Sequence, residues 1–210
     1  MTDPHRIVAS GYDRMADRYE AWAATIESPL AAWLEELLER LPPAAEVLEL
    51  GCGGGTGASP ELAARARLTG VDVSAEQVRR ARRRLPAAQF LQADILSLEL
   101  PQASFEAVVA IFVLNHVPRA ELPRLLGRVG QWLRPGGLFL GTFGVSGTEG
   151  LQDDFLGVPM FFGSLTEDET LAAVLGAGLE PVRNEVVAQD EGEHGIARFL
   201  WVLARKPLRR

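Results

Sequence analysis

Four glycines, Gly51, Gly53, Gly54 and Gly55, follow directly on the run Val47-Leu48-Glu49-Leu50. An apolar run that ends in clustered glycine reads as a buried strand turning sharply into a helix. Glycine accepts positive φ and lets a ligand approach the backbone where a Cβ would stand in the way. A helix opening beyond the turn adds unpaired N–H groups. Together these build a nucleotide-type cofactor site at the carboxyl end of a parallel strand. Asp72 closes the next apolar segment, about twenty residues on, where an acid can accept from both hydroxyls of a ribose. Asp94 closes the segment after that, level with an adenine. His116 follows the fourth apolar segment. A free imidazole there titrates near neutrality and could take a proton from a hydroxyl or amine, or it could cap the loop and pack on the cofactor side. His194, among Asp190, Glu191 and Glu193, reads as a solvated turn, and His5 precedes the ordered pattern and is given no role. No two histidines have metal-ligand spacing, so no metal is expected. Cys52 lies inside the glycine turn, where a small apolar residue suffices; a catalytic thiol is the weaker reading.

These residues need strand ends to hold them. Strands are expected at 47–50, 68–73, 89–93, 105–112 and 138–143, alternating with helices at 60–67, 74–85 and 119–133. The middle of 105–112 is continuously apolar, as in a strand buried on both faces. Ser74 with Gln77, and Thr166 with Glu169, have capping-box spacing. Strand–helix alternation indicates a parallel, doubly wound α/β sheet. Two last strands, 179–188 and 196–205, are joined by a link too short for a helical crossover, so they pair antiparallel. Before the core, Pro29 opens a helix with Trp33, Leu34, Leu37 and Leu38 on one stripe, which covers a sheet face. Residues 144–165 show no periodicity and are expected to be a loop insertion.

A chain of 210 residues is one ordinary domain, expected to span 1–210. A net charge of −7 argues against a nucleic-acid surface, and the run of arginines at 79–84 reads as a solvated helix face. One cysteine excludes an intrachain disulfide. No apolar run reaches membrane-span length and no leader pattern opens the chain, so a soluble cytoplasmic protein, monomer or homodimer, is expected.

The chain resembles the class I S-adenosylmethionine-dependent methyltransferases. The resemblance is carried by Glu49-Leu50-Gly51-Cys52-Gly53-Gly54-Gly55, Gly70-Val71-Asp72-Val73-Ser74, Gln92-Ala93-Asp94 and Leu133-Arg134-Pro135-Gly136-Gly137. It implies a Rossmann-like sheet of seven strands, mostly parallel with an antiparallel C-terminal strand, with helices on both faces. It implies S-adenosyl-L-methionine as cofactor. Gly51 and Gly53, with Cys52 between them, would admit its methionine part, and Glu49 would buttress the turn. Asp72 would bind the ribose hydroxyls, with Val73 on the adenine. Asp94 would accept from the adenine amino group, flanked by Ala93 and Ile95. Ile111 or Phe112 would flank the sulfonium. Tyr12 and Tyr19 match a Tyr-Asp-x-x-Ala-x-x-Tyr pattern that lids the cofactor in many small-molecule members, making 1–43 a helical lid and cover around a 44–143 core, with 166–205 as the closing helix and strand pair.

The same resemblance narrows the acceptor. Members acting on adenine or glutamine amide nitrogen carry an Asn/Asp-Pro-Pro-aromatic tetrapeptide after strand four, and this chain has Phe112-Val113-Leu114-Asn115-His116-Val117-Pro118 there. A small-molecule acceptor is therefore expected, with no nucleic acid and no membrane. Met160, Phe161 and Phe162, beside Phe155, are expected to line its pocket and would suit an aromatic or polyketide-like acceptor in specialised metabolism. Three rivals remain: a same-fold cyclase using the cofactor's charge, a nicotinamide dehydrogenase, and a non-catalytic binding protein.

Overall fold

The computed structural model describes residues 3–208; residues 1, 2, 209 and 210, which the single-domain expectation also spans, lie outside it. The chain opens on α1 (Pro4–Ala23), where Asp3 accepts from the His5 amide and proline fills the first turn. Helix α1 thus starts well before Tyr12 and carries His5 with it. Helix α2 (Leu30–Leu38) buries Trp33, Leu34, Leu37 and Leu38, the expected stripe. There follow β1 (Glu46–Leu50), α3 (Ser59–Arg65), β2 (Arg67–Asp72), α4 (Ala75–Arg84), β3 (Gln89–Gln92), β4 (Phe105–Ala110) and α5 (Leu122–Trp132). Strand β5 (Leu133–Gly144) begins earlier than expected, because Arg134-Pro135-Gly136-Gly137 is not a free turn. It bulges out of the β4 ladder between the Phe105–Leu133 and Ala107–Leu138 pairs, and Gly136 N donates to Lys206 O at 2.8 Å.

The expected loop insertion is a β-hairpin, β6 (Glu149–Phe155) and β7 (Val158–Gly163). Leu156 (φ 52°) and Gly157 (φ 82°) make its two-residue turn, with the paired positive φ of a type I′ hairpin. Helix α6 (Glu167–Gly176) starts on the Thr166–Glu169 capping box. Ser74 caps α4 through the Gln77 amide, but its hydroxyl donates to Asp13 Oδ1 at 2.6 Å, binding α1 to α4. Strands β8 (Glu180–Asp190) and β9 (Ile196–Arg205) close the chain.

The main sheet runs β3-β2-β1-β4-β5-β9-β8. All pairs from β3 to β5 are parallel, and β9 is antiparallel to both β5 and β8. Alternate residues of β4 feed opposite faces. Val108 and Ala110 join the core under α5 and α6, while Ala107 and Val109 join the core under α2, α3 and α4. A third core, built from Val8, Met15, Phe155, Val158, Met160 and Phe161, lies between α1 and the hairpin. The arginines of α4 are not simply solvated. Arg80 pairs with Asp17 and Glu20 of α1, and Arg84 reaches Glu20 and the Gly54 carbonyl. No helix of the described residues is long and apolar enough to cross a membrane.

Candidate active site

Strand order reverses between β1 and β4, so the loops leaving their carboxyl ends diverge and open a crevice. The glycine turn forms one lip. Gly51 N and Cys52 N both donate to Val71 O, at 2.8 and 3.1 Å, tying the turn to β2. A Cβ on Gly51 (φ +68°) would meet Val113 Cβ at 2.4 Å. On Gly53 (φ +53°) it would meet nothing within 4 Å. Gly51 is therefore demanded by packing, whereas Gly53 faces open space. Cys52 is buried, and burial pushes its thiol further up, away from the thiolate a nucleophile needs.

Two carboxyls stand behind this lip. Asp72 accepts from Gly53 N and Ser74 N, both at 2.9 Å. Burial outweighs these bonds and pushes its pKa up to about 6. Glu49 is buried and accepts from Ser59 Oγ at 2.5 Å. Burial, opposed by the Ser59 bond and aided by the charge of Asp72, raises it to about 8. Such a group holds its proton more tightly folded than unfolded, so the stability it confers is whole below the ordinary value of 4.5 and is lost as pH rises through 8. Glu49→Gln, which keeps an acceptor for Ser59, should thus gain roughly 2–4 kcal/mol at pH 9 without added cofactor and nothing below pH 4. Urea unfolding at the two pH values measures this; equal gains at both would refute it.

The next strand end lies alongside. Ala93 N donates to Asp72 O at 3.0 Å, and Asp94 Oδ1 accepts from Leu96 N at 2.8 Å in a local turn. His5 Nδ1 lies 3.6 Å from Asp94 Oδ2, so the histidine given no role sits beside the third strand end. Asp72, Val73, Asp94 and Ile95 line a small cavity of about 80 Å³ that His5, Val8, Tyr12 and Tyr19 roof. Ile111 and Phe112 lie between this cavity and a larger one. Phe112 holds φ +53°, a cost borne by its amide bond to Thr142 Oγ1 at 2.6 Å and by ring contacts with Phe199 and Trp201.

A 3₁₀ turn, Leu114–His116, then aims His116 at α1. Its Nδ1 lies 2.9 Å from Phe161 O, and its Nε2 lies 2.8 Å from the Tyr12 hydroxyl. A carbonyl only accepts, so Nδ1 carries the proton and Nε2 accepts from Tyr12. Burial lowers the His116 pKa to about 4. The expected free imidazole titrating near neutrality is corrected: the ring is neutral and bonded at both nitrogens. Burial likewise raises the Tyr12 phenol well above 10, with smaller contributions from Tyr19 and Asp72.

The larger cavity, about 1250 Å³, extends from the glycine turn to the hairpin and the β8–β9 link. Six aromatic rings on its wall close a circuit. Centroid separations are 5.0 Å for Tyr12–Tyr19, 5.8 Å for Tyr19–Trp22 and 5.5 Å for Trp22–Phe155. They are 5.2 Å for Phe155–Phe162, 4.9 Å for Phe162–His116 and 5.3 Å for His116–Tyr12. Of the three residues expected to line an acceptor pocket, only Phe162 lies on the wall of this cavity. Met160 and Phe161 are buried in the third core, because β7 is clamped between α1 and the 3₁₀ turn; Met160 Cε would lie 2.6 Å from a Cβ at Gly11. Trp22 and His194 were not anticipated on this wall. Trp22 was legible as the continuation of the Tyr12–Tyr19 face by helical spacing; no sequence signal marks His194.

The chemistry of the crevice tests what it can hold. Burial already raises the pKa values of Glu49 and Asp72, so a phosphate beside them would deepen that penalty and a cationic ligand would relieve it. The residues thus fit a cofactor with a sulfonium, a ribose and no phosphate. A family model described as a methyltransferase domain matches residues 47–137. The 27-O-demethylrifamycin SV methyltransferase of Amycolatopsis mediterranei is 34% identical over 87% of this chain and 76% of its own length. The trans-aconitate 2-methyltransferase of Azoarcus sp. is 40% identical over 49% of this chain, but the match spans only 41% of that protein. Among solved structures, the Burkholderia thailandensis 1,6-didemethyltoxoflavin-N1-methyltransferase, with 1,6-didemethyltoxoflavin and S-adenosylhomocysteine bound, superposes with a TM-score of 0.74 at 23% identity, covering 99% of this chain and 92% of that one. With the reversed β1–β4 crevice, the antiparallel β9 and a relative this similar over most of both lengths, the chain belongs to the class I S-adenosylmethionine-dependent methyltransferases.

Proposed function

We propose that the enzyme methylates a small aromatic or polyketide-like acceptor of specialised metabolism, in the cytoplasm, with α1 as lid and the hairpin as acceptor wall. The observation that carries this reading is the circuit of six rings around the larger cavity, with Ile111 and Phe112 between it and the strand ends Asp72 and Asp94. The Amycolatopsis relative, which acts on 27-O-demethylrifamycin SV, lends support. S-adenosylmethionine supplies an electrophilic methyl group. Gly53 leaves room for it, Asp72 offers acceptors to the ribose, and Asp94 offers one to the adenine amino group. The rings exclude water and orient a flat acceptor, so positioning supplies much of the acceleration.

Tyr12 and His116 handle the proton. As the acceptor's O–H or N–H loses its proton to the Tyr12 oxygen, the Tyr12 proton passes to His116 Nε2, and Phe161 O holds Nδ1–H throughout. The base at the end of this relay is weak, so Tyr12→Phe should lower kcat by only about 100-fold, near the lower end for acid–base catalysis. The His116 pKa of about 4 leaves kcat without a limb near pH 6.5. A pH–rate profile bending there in the native enzyme and flat in His116→Gln would overturn the low His116 pKa, and an unchanged kcat in His116→Gln would overturn the relay. Turnover with labelled cofactor and a panel of hydroxyaromatics tests the whole reading. A methylated product supports it. A rearranged product without added mass favours the cyclase, and no turnover despite cofactor binding favours the binding protein.

A further inference from the structure

The link between β8 and β9, read from sequence as a solvated turn, is one edge of the large cavity. His194 sits there on a short 3₁₀ turn, with its ring 5.2 Å from Phe155 and 6.0 Å from Trp22. It extends the aromatic circuit on the side away from His116. Glu191 precedes it. Its carbonyl accepts from Trp22 Nε1 at 3.4 Å, and its Oε1 accepts from Gln189 Nε2 at 3.1 Å. Gln189 is itself buried, so that bond is fixed. Oε2 of Glu191 has no protein donor among the described residues.

We propose that Glu191, steadied by Gln189 and flanked by His194, selects the acceptor by charge. It favours a planar aromatic molecule bearing a hydrogen-bond donor or positive charge and turns away one bearing a carboxylate. The inference rests on the small-molecule reading above and deepens it. The rest of the wall agrees. Glu20, Glu49 and Glu149 also line the cavity. Glu20 is engaged by Arg84 at 2.7 Å, and Glu149 accepts from the Arg119 amide at 2.8 Å. Among the described residues the only arginine or lysine on the wall is Arg198, which is exposed on β9. Burial raises the Glu191 carboxyl, and its charge reaches Tyr12 and Tyr19 in the circuit. A half-buried carboxylate short of donors gains from a ligand that supplies one and repels a second anion.

The test is calorimetric titration of the full chain, saturated with S-adenosylhomocysteine, with three flat bicyclic probes: 2-naphthol, 1-methylquinolinium and 2-naphthoate. The neutral donor and the cation should each bind at least about 10-fold more tightly than the carboxylate. Glu191→Gln, isosteric and on a turn, should shrink that gap to about 3-fold or less, whereas His194→Ala should weaken all three alike. A merely structural turn would not narrow the gap between these probes. Equal affinities in the native enzyme, or an undiminished gap in Glu191→Gln, would overturn charge selection alone. No binding of any probe while S-adenosylhomocysteine binds would overturn the aromatic-acceptor reading as well.

Discussion

Asp72→Ala is expected to weaken S-adenosylhomocysteine binding by at least about 100-fold, because two hydrogen bonds to a charged acceptor are worth roughly 3 kcal/mol or more together. The carboxylate stands at the end of β2 with its two oxygens braced by the Gly53 and Ser74 amides. Those bonds fix the direction of its remaining lone pairs, which is why truncation costs more than one lost contact. The fold should survive, since burial of the Asp72 carboxyl already costs the folded chain part of what the two amide bonds return. Asp72→Asn preserves shape and removes charge, so its loss should be intermediate. Asp72 itself has a pKa near 6, so binding to the native chain should also fall as pH drops through that value, and the Asn variant should not follow. Titration calorimetry at pH 5 and 8 checks both points. Unchanged affinity in the Ala variant would remove Asp72 from the site.

The second large effect separates two glycines two residues apart. Gly51→Ala must place a methyl 2.4 Å from Val113 Cβ at φ +68°. Overpacking and left-handed strain combine, and a stability loss of roughly 2–4 kcal/mol is expected together with loss of cofactor binding. Gly53→Ala meets no atom within 4 Å, so only the left-handed strain of about 1 kcal/mol remains. Its methyl, however, points into the space a ligand would fill, and binding should fall by about 100-fold or more. Urea unfolding set beside calorimetry distinguishes a residue that serves the fold from one that serves the ligand. Equal destabilisation by the two substitutions would refute the distinction.

The cofactor half of the molecule was legible because its signals are local. From Ala107 on, strand β4 is buried on both faces and therefore reads as a continuous apolar run. Gly51, Gly53 and Gly55 hold positive φ, which few other residues supply. The larger cavity's wall depends on contacts far apart in the chain. Strand β6 exposes every residue but Phe155, so it carries no alternation, and its partner β7 is fixed by α1 rather than by its own pattern. That is also why Met160 and Phe161 went to a core and Phe162 to the cavity. His116 looked like a free base because its partner, Tyr12, is 104 residues away in sequence. His5 was overlooked although Asp3-Pro4 is an ordinary helix start. Residues 134–137, left between the expected helix and the expected strand, joined a bulged strand because the chain's tail pairs with them across Gly136 and Lys206.

The third core, between α1 and the hairpin, shares no buried residue with the two cores that flank the sheet. Mutations accumulate where they strain nothing else. A lineage can therefore exchange Phe155, and with it the contour of the larger cavity, without altering a buried residue of β1, β2 or the glycine turn. The machinery that grips the methyl donor can stay fixed through descent while the choice of recipient drifts, each half answering to its own selection.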